Sequence, residues 1–295
     1  MFRSFLKLSI LTIQTAFTYI TGAIGDLYDE REAANIAHIV LEYITGMNKL
    51  DRLVHKTKLL TPDQNARLKT AIEALLRLEP VQYVTGTSWF YGMELLVNKS
   101  VLIPRPETEE LVEWIVQELA GKPRPHLLDI GTGSGCIPLA LKKSIPAAVV
   151  SGIDVSEDAL TVARDNATKQ RLDVSFWHMD TLNTRQTDTL PMFDVIVSNP
   201  PYITQSEKAE MQQQVWGFEP SLALFVPDND ALLFYRYIAQ LAQHKLNAGG
   251  ALYFEINESL GKEVVALLEE QGFTAVVLKQ DMFGKDRMVK GTFTK

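Results

Sequence analysis

The firmest constraint on this chain is a short strand that breaks on alternating glycines. His126-Leu127-Leu128-Asp129-Ile130 is an apolar run that passes into Gly131-Thr132-Gly133-Ser134-Gly135, and a helical stretch follows near 135–144. Glycine permits positive φ and lets a ligand approach the backbone, although a strand-to-helix turn also takes glycine for steric reasons alone. The sequel gives the loop its weight. Apolar runs near 148–153, 173–178, 193–198, 249–256, 273–279 and 286–294 alternate with helical stretches near 156–168, 229–246 and 259–271. That alternation predicts an α/β, doubly wound and mostly parallel sheet with helices on both faces. No helix fits between the last two strands, so they are expected to pair antiparallel.

Open α/β sheets bind ligands beyond the carboxyl ends of their strands. Three successive ends here are acidic: Asp129 stands before the glycines, Asp154 ends the second strand and Asp180 the third. Asp154 can accept both hydroxyls of a ribose, and Asp180 can accept from an adenine amino group. Together with the glycine loop they outline a nucleoside pocket with an acidic rim. The G-x-G-x-G spacing differs from the dinucleotide G-x-G-x-x-G. Asp129 would also repel a pyrophosphate, whereas it suits a cationic or ammonium-bearing ligand. The pocket therefore favours S-adenosylmethionine over NAD.

The fourth strand, Phe193 to Ser198, runs into Asn199-Pro200-Pro201-Tyr202. Each proline fixes its φ at about −65° and carries no N–H. Each also pushes its predecessor away from the α region. The loop is stiff and offers carbonyls and the Asn199 amide as acceptors, with a flat apolar face on Tyr202. That kit suits a planar group bearing an NH₂, held by two acceptors and stacked on a ring. Adenine fits those four residues as well as a glutamine side chain does.

The flanks differ in texture. Ala33, Ile36, Ala37, Val40, Tyr43 and Ile44 repeat at helical spacing, and Thr61-Pro62-Asp63-Gln64 is a capping-box start, so residues 1–80 read as a helical domain of four or five helices. Tyr83 to Gly86 and Trp89 to Val97 are β-rich and read as a hairpin between two domains. Pro104-Arg105-Pro106-Glu107-Thr108-Glu109 reads either as an extended link with a helix cap or as a shaper of the cofactor pocket. Phe5 to Ile13 is apolar, but Lys7 and Gln14 interrupt it, which favours a helix start, or a few surplus residues before one, over a signal peptide or a membrane span. The lone Cys136 excludes an internal disulfide and a multi-cysteine zinc site and fits a reducing, cytoplasmic compartment. The scattered histidines give no metal spacing. Residues 1–86 carry 10 Lys/Arg against 9 Asp/Glu, and residues 87–295 carry 19 against 27. An acidic catalytic part argues against a stable grip on nucleic acid.

Asp129 to Gly135 taken with Asn199-Pro200-Pro201-Tyr202 resembles the class I S-adenosylmethionine-dependent methyltransferases that act on a planar amino or amide nitrogen. Those motifs alone also fit N6-adenine DNA methyltransferases and some ribosomal RNA methyltransferases. Glu79-Pro80-Val81-Gln82-Tyr83-Val84-Thr85-Gly86, Phe90-Tyr91-Gly92 and Val101 to Glu109 resemble the linker of the HemK/PrmC family. Glu219-Pro220 with Ala223-Leu224, and Asp281 with Phe283-Gly284-Lys285-Asp286-Arg287, are similar to further motifs of that family. Its members are protein-(glutamine-N5) methyltransferases of peptide chain release factors.

The resemblance covers nearly the whole chain. It implies a Rossmann-like sheet of seven strands with the last antiparallel, and a small all-helical N-terminal domain. The expected division is a substrate-recognition domain at 1–80, a β-hairpin linker at 81–106 and a catalytic domain at 107–295. The implied substrate is the glutamine of the Gly-Gly-Gln loop of class I release factors. The implied cofactor residues are Asp129, Gly131, Thr132, Gly133, Ser134, Gly135, Asp154, Asp180, Thr181 and Asn199; the catalytic ones are Asn199, Pro200, Pro201 and Tyr202. A monomer without a metal or a membrane anchor is expected. The chain departs from the family pattern at Thr181, where tryptophan is usual, at Asn257, where glycine often follows Glu255-Ile256, and in the glycine-free stretch Phe225 to Asp230.

Overall fold

The computed structural model describes residues 11–210 and 213–294. They form two compact units, one holding the residues up to Gly86 together with Gln213–Phe218, the other holding the rest from Thr87 onward.

The first unit is helical: α1 (Ile13–Ile24), α2 (Glu30–Thr45), α3 (Lys49–Val54), α4 (Pro62–Leu75) and the short α5 (Val81–Thr85). Local chemistry sets each of the first four starts. Thr12 with Thr15 and Thr61 with Gln64 form reciprocal capping boxes, and Asp29 and Asn48 accept the N–H groups of Glu32 and Asp51. The amphipathic faces meet in a core of Ile20, Ile24, Val40, Leu41, Leu68 and Leu75. Thr12 caps α1, so the helix starts at Ile13; residues 5–10 of the apolar N-terminal run lie outside the described residues. The β-rich reading of Tyr83 to Gly86 is corrected: residues 81–85 form a helix. Strand propensity of the β-branched residues is a weak preference. It yields to burial of Val81 and Thr85 on one face, to the Thr85 hydroxyl bond to the Val81 carbonyl, and to the left-handed stop at Gly86 (φ +72°).

The second unit opens with a hairpin, β1 (Thr87–Phe90) and β2 (Met93–Leu96). Its Phe90, Met93 and Leu95 are buried in the core of this unit. The chain continues through α6 (Pro106–Glu118), β3 (His126–Ile130), α7 (Cys136–Ser144), β4 (Val149–Asp154), α8 (Glu157–Gln170), β5 (Ser175–His178), α9 (Thr184–Thr187) and β6 (Phe193–Ser198). A two-residue strand β7 (Ile203–Thr204) pairs with β8 (Phe225–Val226); α10 (Gln213–Phe218), the helix grouped with the first unit, and α11 (Ser221–Leu224) lie between them in sequence. Then come α12 (Leu233–Lys245), β9 (Leu246–Glu255), α13 (Gly261–Glu270), β10 (Phe273–Gln280) and β11 (Asp286–Phe293).

Seven strands make one sheet in the order β10-β11-β9-β6-β3-β4-β5. β11 runs antiparallel to both neighbours, and the pairs among β9, β6, β3, β4 and β5 are parallel. Strand alternation feeds two cores. Leu127, Val195, Val197 and Tyr253 point to one face, covered by α6 and α7; Leu128, Ile196, Leu252 and Phe254 point to the other, covered by α12 and α13. β3 lies between β4 and β6, so the chain leaves it first one way and later the other. That reversal opens a crevice at the carboxyl ends of the central strands. Among the described residues no helix is long and apolar enough to cross a membrane.

Candidate active site

The loop after β3 is shaped by its glycines. Gly131, Gly133 and Gly135 have φ of +73°, +52° and +79°. A Cβ at Gly131 or Gly133 would meet nothing within 4 Å, so there it is the backbone conformation that asks for glycine. At Gly135 a Cβ would also lie 3.2 Å from the Ala163 Cβ on α8. The N–H groups of Gly131 and Thr132 both bond to the Ile153 carbonyl, at 2.9 and 3.0 Å, which locks the loop to β4.

Asp129 is buried at the end of β3, and neither of its carboxylate oxygens has a hydrogen-bond partner. The hydroxyls of Thr132 and Ser134 are likewise buried and unpartnered. Burial raises the Asp129 carboxyl to about 7, with Asp154 adding to the rise; the nearby Thr132 hydroxyl, outside hydrogen-bonding geometry, offsets only part. A buried polar group left unpaired costs about 1–3 kcal/mol. Asp129, Thr132 and Ser134 form a cluster of such groups behind the glycine loop.

One cavity collects the strand ends. Ile130, Gly131 and Gly133 enter it from β3, Asp154 to Ser156 from β4, Asp180 and Thr181 from beyond β5, and Ser198 to Pro201 from β6. Ser100 to Leu102, Ala159, Pro220, Leu222, Ala223, Phe234 and Ile238 complete the wall. Asp154 is held in place from behind: its Oδ2 accepts from the Gly133 N–H and its Oδ1 from the Ser156 N–H, both at 2.9 Å. Each oxygen keeps a lone pair for a further donor. Burial moves its carboxyl above the usual range, against these backbone bonds. Asp180 Oδ1 accepts from the Leu182 N–H at 2.9 Å.

Not every sequence-predicted residue reaches the cavity. Asp129, Thr132, Ser134 and Gly135 sit in or behind the glycine loop, off the wall. Tyr202, expected to stack on the acceptor group, is also absent from the wall; its ring packs against the core on the α12 side of the sheet. Two prolines carry the chain past the strand end, and packing part of that ring against apolar neighbours is favourable.

Two features escaped the sequence reading. The first is a buried hydrogen-bonded chain: Asn199 Nδ2 donates to Thr108 Oγ1 at 3.3 Å, and Thr108 Oγ1 donates to Glu255 Oε2 at 2.6 Å. Its only sequence signal is a carboxylate closing the apolar run Ala251 to Phe254. The second is the aromatic and aliphatic wall from α12, because Phe234 and Ile238 read as ordinary core positions. Arg105 is extended at the N-cap of α6, as the link-and-cap reading has it, and it also makes an ion pair. Its guanidinium donates to Glu219 Oε1 at 2.5 Å, while Glu219 Oε2 accepts from the Ile103 N–H at 3.1 Å. Glu219 is 4% exposed, so this pair ties the wall at Ser100 to Leu102 to the wall at Pro220 to Ala223.

This sheet order, with a glycine loop, acidic strand ends and an Asn-Pro-Pro acceptor edge on one cavity, defines a Rossmann-like class I methyltransferase. Residues 108–216 match the Methyltransferase small domain family, and residues 18–86 match the PrmC N-terminal domain. A methyltransferase from Pyrococcus furiosus superposes with a TM-score of 0.51 over 80% of this chain and 100% of that one, at 17% identity, which speaks for the fold. In sequence the chain is 43% identical over 286 residues to the release factor glutamine methyltransferase of Flavobacterium psychrophilum, covering 96% of this chain and 100% of that protein. It is 41% identical over 271 residues to the corresponding protein of Bacteroides thetaiotaomicron, covering 92% and 96%. The chain belongs to the release factor glutamine methyltransferase family.

Proposed function

We propose that this chain transfers a methyl group from S-adenosylmethionine to the side-chain amide nitrogen of the glutamine in the Gly-Gly-Gln motif of class I peptide chain release factors, in support of translation termination. The observation that carries the reading is the single cavity that holds acidic strand ends and Asn199, Pro200 and Pro201 on its wall. The residues fit such a cofactor. The unneutralised Asp129 carboxylate, with Thr132 and Ser134, favours a cationic end at the glycine loop. Asp154 has lone pairs to spare for ribose hydroxyls, and Asp180 and Thr181 flank the place for the base. When bound, S-adenosylmethionine supplies a methyl group on a positively charged sulfur, which is a good leaving group.

The chain's own task is to hold the acceptor. An amide nitrogen is a weak nucleophile because its lone pair is delocalised. Asn199 Oδ1 and the Pro200 carbonyl accept its two N–H bonds and aim its remaining face into the cavity. The same acceptors stabilise the positive charge that develops as the nitrogen becomes pyramidal. The surplus proton leaves to solvent. Tyr202 supports the loop from the core side. In this reading the helical unit recognises the release factor, and the enzyme works as a cytoplasmic monomer without a stable nucleic-acid partner.

Labelled S-adenosylmethionine offered to the purified chain with release factor, DNA and RNA in parallel tests the substrate class. Label is expected in the release factor alone; label in either nucleic acid overturns the reading.

A further inference from the structure

The buried chain behind Asn199 has no role in the steps above, yet its geometry decides what Asn199 can do. An asparagine amide has an accepting end and a donating end of nearly the same shape. Which end faces the cavity depends on what holds the other. Here that holder is the Thr108 hydroxyl on α6, which carries one proton. Thr108 is 2% exposed and Glu255 is 2% exposed, so water does not blur the choice.

We propose that Glu255 is a positioning residue which, through the Thr108 hydroxyl, fixes Asn199 with its oxygen toward the cavity. The logic is one of donors. An ionised Glu255 can only accept, so the Thr108 proton is committed to it. Thr108 Oγ1 then has only lone pairs left for Asn199, which must offer Nδ2. Oδ1 is left for the acceptor amide. A protonated Glu255 reverses every step: it donates to Thr108, Thr108 donates to Asn199 Oδ1, and the cavity is shown an NH₂ that cannot receive another. The inference rests on Asn199 being the acceptor of the transferred group's N–H bonds.

The surroundings place this reversal near neutral pH. Burial raises the Glu255 carboxyl to about 7, while the Thr108 bond, Arg287 on β11 and the Asn199 amide, which also faces it, pull it down and Glu107 on α6 pushes it up. Tyr202 beyond β6 and Tyr235 on α12, whose hydroxyl reaches the Glu255 carbonyl at 3.5 Å, are held by burial above their ordinary value and stay neutral. Burial pulls Arg287 down, but Asp281, Tyr202 and Glu255 keep it above its ordinary value and charged, and it pairs with Asp281 at 3.2 Å and Glu258 at 3.6 Å.

The test compares Thr108→Val, Thr108→Ser and Glu255→Gln with the unaltered chain. Hydrogen bonds to a charged partner are worth about 1.5–3 kcal/mol, which corresponds to roughly a ten- to hundred-fold effect. Val and Gln are expected to lower kcat for release factor by about that factor, with S-adenosylmethionine affinity by calorimetry unchanged, and Ser is expected to restore the rate. The unaltered chain's kcat falls as pH drops below about 7, and Thr108→Val loses that limb. A full rate in Thr108→Val, an equal loss in Ser and Val, or an acid limb that survives in Val overturns the inference. A substrate-free readout separates it from the parent reading. The Asn199 side-chain amide resonances, identified by their loss in Asn199→Asp, should shift between pH 6 and pH 8 in the unaltered chain and not in Thr108→Val. Resonances that do not move in the unaltered chain overturn the inference even if methylation is observed.

Discussion

At the residue scale, the site divides between groups that advertise themselves and groups that do not. Asn199 and Asp154 are polar residues at the ends of apolar strands, so the sequence shows both where they stand and which way the sheet delivers them. Glu255 is just as polar, but its partner Thr108 is 147 residues away in the chain, and no local pattern links them. Tyr202 is ambiguous in another way: an aromatic beside an acceptor loop suggests stacking, and the half-buried ring also packs against the core on the α12 side. Asn199→Ala tests the acceptor role. In the proposed reading it removes the oxygen that receives the amide and leaves Asp154 and Asp180 in place, so turnover should fall by about 100-fold or more while cofactor affinity changes less than about three-fold. Steady-state kinetics beside calorimetry checks this; retained turnover would remove Asn199 from the mechanism.

Among the elements, periodicity was informative wherever an element is long enough to have a period. The alternation of strands and helices from β3 to α13 was legible because both faces of the sheet are covered and the strands are continuous apolar runs. Short elements were not. Helix α5 was hidden under a β-branched sequence, and α9, α11, β7 and β8 have two to four residues each, too few for any pattern. The glycine loop was legible as a turn, but its second constraint, contact with α8, was not. Gly135→Ala places a side chain on a residue with φ of +79° and presses it against Ala163 at 3.2 Å. It should destabilise the chain by about 1–3 kcal/mol, read as a lower midpoint of thermal unfolding. Glu219→Ala acts on the opposite wall. It leaves Arg105 and the Ile103 N–H without their shared acceptor, and S-adenosylmethionine affinity should fall by about ten-fold or more, measured by titration.

Taken as a whole, the molecule carries unfavourably buried charge that the sequence could not reveal, because Asp129 and Glu255 look like any other strand-end acids. Both carboxyls are raised to about 7 by burial. Unfolded, they ionise at about pH 4. Between those values the folded chain holds more protons than the unfolded chain, so stability falls as pH rises from about 4 to about 7. Glu113 and Asp230, held low by Tyr91 and Arg236, act in the other direction and only at lower pH. The melting temperature of the free chain should therefore drop between pH 5 and pH 8, and Asp129→Asn should flatten much of that slope; an unchanged slope in the variant would mean that Asp129 is not the source. In the proposed reading the guest is a glutamine side chain of a protein, although Asn199 and Pro200 would receive an amino group of a base alike. The most direct measurement of that choice is peptide mass spectrometry of release factor incubated with this chain and S-adenosylmethionine. The account predicts one added methyl on the glutamine of Gly-Gly-Gln and none when that glutamine is replaced; a methyl elsewhere, or an unmodified glutamine alongside methylated nucleic acid, would contradict it.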